Sequence, residues 1–331
     1  MNTNTPWSGA GRRVFMNEVG PRDGLQMEAA FVPTADKIAL IDALSLAGYA
    51  KIEATAFVSA TAIPALRDGD VVMSEITRQP GVIYTALVPN LRGAERAIET
   101  RTDELNLVMS VSETHNLCNL RMLRSQSLQA LAQVIALAQD ARVPVNVSLS
   151  CSFGCPMEGD VPAADVLDWV QRFADRGVQG VTLCDTTGMA FPPQVAALVR
   201  AVRQRWPQLG LTLHFHDTRG LALPNMLAAL DAGADRFDTA LGGLGGCPYA
   251  PGASGNACSE DAVHALQLVG YDTGVDLARI TGLAQRLPAL IGHDMPSQIA
   301  KAGPRSHRHA PPADFDTWRQ RAHERQAAAV R

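Results

Sequence analysis

Two histidines one residue apart, His214 and His216, lie in the run His214-Phe215-His216-Asp217 at the end of a short apolar, strand-like segment. Side chains alternate along a strand, so both imidazoles project to one side and can converge on one ion. The chain has only 8 histidines in 331 residues, which makes such a pairing informative. Asp23, in the run Glu18-Val19-Gly20-Pro21-Arg22-Asp23-Gly24-Leu25-Gln26, and the amide oxygen of Asn256 offer two oxygen donors. Two imidazoles with two oxygens suit a hard or borderline divalent cation, Mg²⁺ or Mn²⁺, with positions left for substrate. Taken alone, Arg22-Asp23 reads equally as a turn with an Asx-type hydrogen bond. Glu53 and Asp185 are further carboxylates at strand ends, placed to touch substrate or to orient ligands. Cys247 sits in the run Gly242 to Asn256, GGLGGCPYAPGASGN, a composition that no helix or strand interior tolerates. In isolation it would be a small buried residue or part of a linker. Its place between a strand-like segment and a helix-like one, 256–268, makes the run a strand-to-helix loop.

The elements that must position these groups alternate along the chain. Strand-like runs cover 14–19, 51–56, 82–88, 104–110, 143–150, 180–184, 211–215 and 236–241. Amphipathic stretches with apolar residues at three and four cover 35–47, 125–141, 163–176, 193–206 and 222–232. Eight strands alternating with helices over ~250 residues predict a (β/α)₈ TIM barrel. A doubly wound open sheet is the alternative, but no GxGxxG follows the first strand. A barrel demands chemistry at the C-terminal strand ends, where the singled-out residues fall. The barrel domain is expected over 1–302, with a further helix at 277–287, followed at 303–331 by a polar tail, helical or frayed.

Composition removes several function classes. A charge balance of 29 basic against 33 acidic residues, net −4, argues against nucleic acid as a partner. No run approaches ~18 unbroken apolar residues, and the opening residues lack the apolar core of a secretory signal, so neither a membrane span nor export is expected. A cytoplasmic location follows, in which the 6 cysteines stay thiols. The Cys151/Cys155 spacing, without a second pair, does not read as structural zinc.

The runs EVGPRDGLQ, HFHDTRG and GGLGGCPYAPGASGN closely resemble the 3-hydroxy-3-methylglutaryl-CoA lyases, metal-dependent barrel enzymes related to the isopropylmalate and homocitrate synthases. The resemblance covers about Val14 to Val269. It implies an oxyanion-stabilising Arg22, a metal site of Asp23, His214, His216 and Asn256, and a mobile flap carrying a catalytic Cys247. Glu53 and Asp185 match acidic residues of the family's active site. The implied reaction, in leucine degradation, cleaves an acyl-CoA thioester to acetyl-CoA and acetoacetate. Asp23 or His214 would take the hydroxyl proton and Cys247 would protonate the enolate carbon. Substrate contacts would come from Arg22, Gln26, Asn146 and Ser148, and a homodimer or higher homo-oligomer is the expected assembly. Asn146 and Ser148 stand where these lyases usually present an arginine and a tyrosine, which implies a roomier acyl pocket. A bulkier C3-substituted thioester, or a relative such as citramalyl-CoA, would then compete as substrate. The segment Gly292-His293-Asp294-Met295 is poor in basic groups for coenzyme A phosphates. A condensing synthase would carry a different loop and usually a large regulatory domain; a non-catalytic binding barrel would have lost a metal ligand, and none is missing.

Overall fold

The computed structural model describes residues 8–246 and 255–329. Eight parallel strands close into a barrel in chain order: β1 (Phe15–Glu18), β2 (Lys51–Ala56), β3 (Ile83–Leu87), β4 (Glu104–Ser110), β5 (Val145–Ser150), β6 (Gly180–Asp185), β7 (Gly210–Phe215) and β8 (Arg236–Thr239). β8 pairs back onto β1, so no sheet edge is left open and the doubly wound alternative is excluded. The expected strands and the longer helices all form. Three short helices, Gly69–Glu75, Leu91–Glu99 and Glu113–Leu120, escaped the periodicity reading because two turns are too short to establish an apolar stripe. Two of them do carry local start signals. Asn90 accepts from the Gly93 amide at 2.9 Å, and Ser112 from the His115 amide at 3.1 Å.

Outward-facing strand residues such as Met16, Ile52, Leu105, Val147, Leu213 and Phe237 are fully buried against the surrounding helices. Each such burial contributes roughly 1.5–3 kcal/mol. Barrel interiors are usually filled by branched aliphatic side chains. This one is polar. Lys51 pairs with Glu104, Asn17 donates to Asp238 at 2.8 Å, and Asn106, Asn146, Thr182 and Thr212 complete the lining of a cavity of about 20 Å³, room for a single water.

Two boundaries differ from expectation. The last helix of the barrel starts at Ser259, not Asn256, because 256–258 is extended backbone that pairs with strand ends, His216 with Asn256 and Ala240 with Cys258. The expected 277–287 helix ends at Ala284, and a separate short helix, Leu287–Ile291, follows with Pro288 in its first turn. One compact unit runs to Lys301 and a second from Ala302 to Arg331. In the second unit a helix, Phe315–Ala329, buries none of its residues. Among the described residues no helix is long and apolar enough to cross a membrane.

Candidate active site

β1 runs into one turn of π-helix at Gly20–Gly24, with the amide of Asp23 donating to the Val19 carbonyl at 2.7 Å and that of Gly24 at 3.4 Å. Such wide turns recur at functional sites because they re-aim side chains. Here the turn presents Arg22 and Asp23 over the barrel mouth. Glu18, completely buried, fixes it. Its Oε1 accepts from the amides of Gly20 and Leu241, each at 2.8 Å, and its Oε2 accepts from Ser259 Oγ at 2.7 Å. One carboxylate thereby ties the turn after β1 to the backbone entering the glycine run, and burial pushes its pKa up to about 7.

β7 supplies His214, and His216 follows just past its end. Their ring centroids lie 5.2 Å apart. With Asp23 they bring one donor atom each within 4.8 Å of one another. Asn256, held on the same side by its backbone pairing to His216, donates Nδ2 to Asp23 Oδ2 and to the Leu244 carbonyl, both at 2.9 Å. Its Oδ1 is buried and has no partner among the described residues. A buried orphan carbonyl oxygen beside two imidazoles and a carboxylate is what a divalent cation would satisfy, so these residues fit one. The electrostatics of Asp23 and His216 agree. Burial would raise Asp23, but Arg22 and the two imidazoles outweigh it and hold the carboxyl at about 2; burial and the neighbouring His214 press His216 down to about 4. Ionised carboxylate and neutral imidazole are the ligating forms. His214 is turned by Asp238, whose Oδ2 lies 3.4 Å from Nδ1, leaving Nε2 on the Asp23 side at 3.9 Å. Burial lowers the pKa of His214, and the hydrogen bond to Asp238 with the charge of Asp23 more than reverses this.

Arg22 lies beside this cluster. Nε donates to Glu53 Oε2 at 2.6 Å, Nη2 pairs with the same carboxylate and Nη1 with Asp23. Burial opposes its charge, but the two carboxylates overcome the penalty and keep it protonated. Asp185, at the end of β6, accepts on Oδ1 from the amides of Met189 and Ala190 at 2.6 and 3.1 Å, while Oδ2 is buried without a partner among the described residues. Burial lifts its pKa to about 6. Gln26 lines a rim cavity of about 410 Å³ with Phe31 and Arg67, and a second, of about 600 Å³, opens beside Phe57, Asn90, Arg92 and Arg96. Cys247 lies outside the described residues.

Asn146 and Ser148 hydrogen-bond within the barrel interior and, among the described residues, to none of the four candidate metal ligands. The strands of such a barrel stagger by about one residue each, so on the interior face of β5 Ser148 shares the layer of His214 and Asn146 lies one layer below. Their polar atoms engage Asn106 and Thr182. Three contributors were missed in sequence: Glu18, Asp238 and Asn106. Asp238 and Asn106 occupy inward positions of their strands, a signal that alternation carries; two of the partners of Glu18, Leu241 and Ser259, lie more than 220 residues away.

The HMGL-like family model matches residues 13–287. A hydroxymethylglutaryl-CoA lyase of Bacillus subtilis is 45% identical over 287 residues, 87% of this chain and 96% of the relative. A 3-hydroxy-3-isohexenylglutaryl-CoA/hydroxymethylglutaryl-CoA lyase of Pseudomonas aeruginosa is 40% identical over 88% of this chain and 97% of its own length. The solved structure of an HMG-CoA lyase from A. baumannii, in complex with coenzyme A and 3-methylmalate, superposes with a TM-score of 0.88 at 50% identity, covering 91% of this chain and 98% of that one.

Proposed function

The chain belongs to the HMGL-like family and is a lyase, and we propose that it cleaves a 3-hydroxyacyl-CoA, with 3-hydroxy-3-methylglutaryl-CoA as the leading substrate and acetyl-CoA and acetoacetate as products. The observation that carries this reading is the convergence of Asp23, His214, His216 and the orphan Asn256 Oδ1 beside a largely buried, charged Arg22. Mg²⁺ or Mn²⁺ held by these four residues would lower the pKa of a bound hydroxyl and polarise an acyl oxygen. The chain's own groups supply the rest. Asp185 takes the hydroxyl proton: its Oδ2 has no partner among the described residues, whereas both Asp23 oxygens are engaged, by Arg22 and by Asn256. Breaking the carbon-carbon bond then leaves electrons on the thioester enolate. The Arg22 guanidinium donates to that oxygen, a contribution of roughly 3–4 kcal/mol for one preorganised donor. Cys247 is the residue assigned to deliver the proton to the enolate carbon.

Coenzyme A is proposed to lie along the rim cavities, where Arg67 and Arg92 offer charge to its phosphates. The segment 292–295 offers none, since His293 is engaged by Glu28 at 2.8 Å. The relative named for an isohexenylglutaryl thioester supports a pocket able to take a longer C3 substituent. The test is a mass-spectrometric panel of 3-hydroxyacyl-CoA thioesters, including 3-hydroxy-3-methylglutaryl-, 3-hydroxy-3-isohexenylglutaryl- and citramalyl-CoA, run metal-free and with Mg²⁺ or Mn²⁺ restored. Metal-dependent release of acetyl-CoA from the first is expected. Full turnover without metal, or no cleavage of any member, sinks the proposal.

A further inference from the structure

We propose that Asn106 is a positioning residue for Arg22, acting through Glu53, and that Asn146 and Ser148 serve to lock the Asn106 amide; the inference rests on the proposed role of Arg22 as the donor to the enolate oxygen. The contacts form a single directed chain across the barrel. Asn146 Nδ2 and Ser148 Oγ both donate to Asn106 Oδ1, at 3.0 and 2.9 Å. Asn106 Nδ2 donates to Glu53 Oε1 at 2.7 Å, and Glu53 Oε2 receives Arg22 Nε at 2.6 Å together with Nη2. With both donors pointed at Oδ1, the Asn106 amide has one workable orientation. Reversing it would set its NH₂ against the Asn146 NH₂ and its oxygen against a carboxylate. Glu53 in turn has Oε1 committed, so only Oε2 faces the guanidinium, and the plane of Arg22 follows from the plane of Glu53. All four supporting side chains are buried: Glu53 is 2% exposed, Asn106 and Ser148 8% or less and Asn146 6%. In such a low-dielectric setting each hydrogen bond is strengthened and an unmatched group is costly, so the chain holds one arrangement. Asn146 also donates to Thr182 Oγ1 at 2.9 Å, which anchors the far end on β6. The two residues that stand in place of an arginine and a tyrosine therefore act on the oxyanion donor through Asn106 and Glu53.

The test uses the full chain with three readouts: kcat and KM on whichever thioester is cleaved, Mn²⁺ affinity by calorimetry, and the ¹⁵N–¹H signal of Arg22 Nε with its exchange rate. Asn106→Leu keeps the volume and removes the chain; kcat should fall about 10- to 100-fold with KM and Mn²⁺ affinity little changed, and the protected Arg22 Nε–H signal should be lost. Asn146→Ala with Ser148→Ala leaves Asn106 in place but unlocks its amide, and should lower kcat by about two- to tenfold while speeding Nε–H exchange. Wild-type kcat with an unchanged Arg22 signal in either variant overturns the inference. So does a parallel loss of Mn²⁺ binding and thermal stability in the double variant, which would make the network merely structural. If no thioester is cleaved but the Arg22 signal responds as stated, the proposed reaction fails while the positioning of Arg22 stands.

Discussion

Asp23 and Asp185 share one mouth, yet their surroundings send them in opposite directions. Burial works against the charge of both. At Asp23 the guanidinium and two imidazoles reverse it and leave the carboxyl at about 2; at Asp185 two backbone amides reduce it only in part and leave it at about 6. Divergent carboxylates in one site are the usual signature of separate roles. As a base, Asp185 must be ionised, so kcat/KM should rise with pH through about 6 and level off above it. Asp185→Asn should cost ~10²- to 10⁴-fold in kcat and leave Mn²⁺ affinity unchanged by calorimetry. An Asn variant that keeps wild-type kcat returns the proton to another acceptor. Arg22→Gln tests the opposite charge. It should lower kcat by ~10²-fold or more, yet Mn²⁺ should bind at least as tightly, because the substitution removes a cation competing for Asp23. Weakened Mn²⁺ binding would instead make Arg22 a prop for the ligand set.

Glu18 clasps the turn after β1 to the backbone that enters the glycine run at Leu241. Gly245 has φ +121°, and a Cβ there would sit 2.6 Å from Asn256 Nδ2; one on Gly255 would meet the Gly245 carbonyl oxygen at 2.3 Å. The close backbone approach that seats Asn256 is open to glycine alone. Gly245→Ala should therefore cost roughly 10- to 100-fold in metal affinity, with circular dichroism showing the barrel intact; unchanged affinity would mean that Asn256 is not a ligand. Glu18 makes a separate prediction. Burial raises its folded pKa from the ordinary 4.5 to about 7, so its contribution to stability is fully present below ~4.5 and is lost as pH rises to about 7. The span corresponds to on the order of 3 kcal/mol. Glu18→Gln keeps Oε1 for the two amides and can donate to Ser259, so its melting temperature should fall less between pH ~5 and ~8 than that of the unmodified chain. Parallel melting curves across that range would remove the argument. Elements like this show which parts of the site were legible beforehand. His214-x-His216, Arg22-Asp23 and the glycines are local patterns with a local mechanism. The start of the helix at Ser259 was misread because Asn256 to Cys258 take their backbone partners from strand ends distant in sequence.

Across the whole molecule, the strand–helix alternation was readable because one face of each strand must be apolar against the helices, and Leu105, Leu107 and Met109 show it on β4. The interior face carried a second message that strand counting does not use. Glu104, Asn106 and Ser110 on β4, and Asn146, Ser148 and Ser150 on β5, mark a polar interior in register with the mouth. Three carboxylates, Asp23, Glu53 and Asp238, are gathered around one guanidinium and two imidazoles, one of them held uncharged by burial. A divalent cation bound there would satisfy Asn256 Oδ1 and offset that negative charge only in the folded chain, since unfolding scatters ligands drawn from the two ends of the sequence. Binding to the native state alone stabilises by RT ln(1 + [L]/Kd), about 2.7 kcal/mol at a hundredfold excess over Kd. For a chain of this size each kcal/mol moves the melting temperature by roughly 2–4 °C. Mn²⁺ titrated into metal-free protein should therefore raise the midpoint by roughly 5–10 °C at that excess, in proportion to the logarithm of its concentration, and chelator should reverse it. His216→Ala should flatten the slope without lowering the metal-free midpoint to the same degree, because it deletes a ligand while relieving a buried ring with an unpartnered Nδ1. A midpoint indifferent to Mn²⁺ and Mg²⁺ at millimolar concentration would show that the four residues form a hydrogen-bonded cluster, not a metal centre.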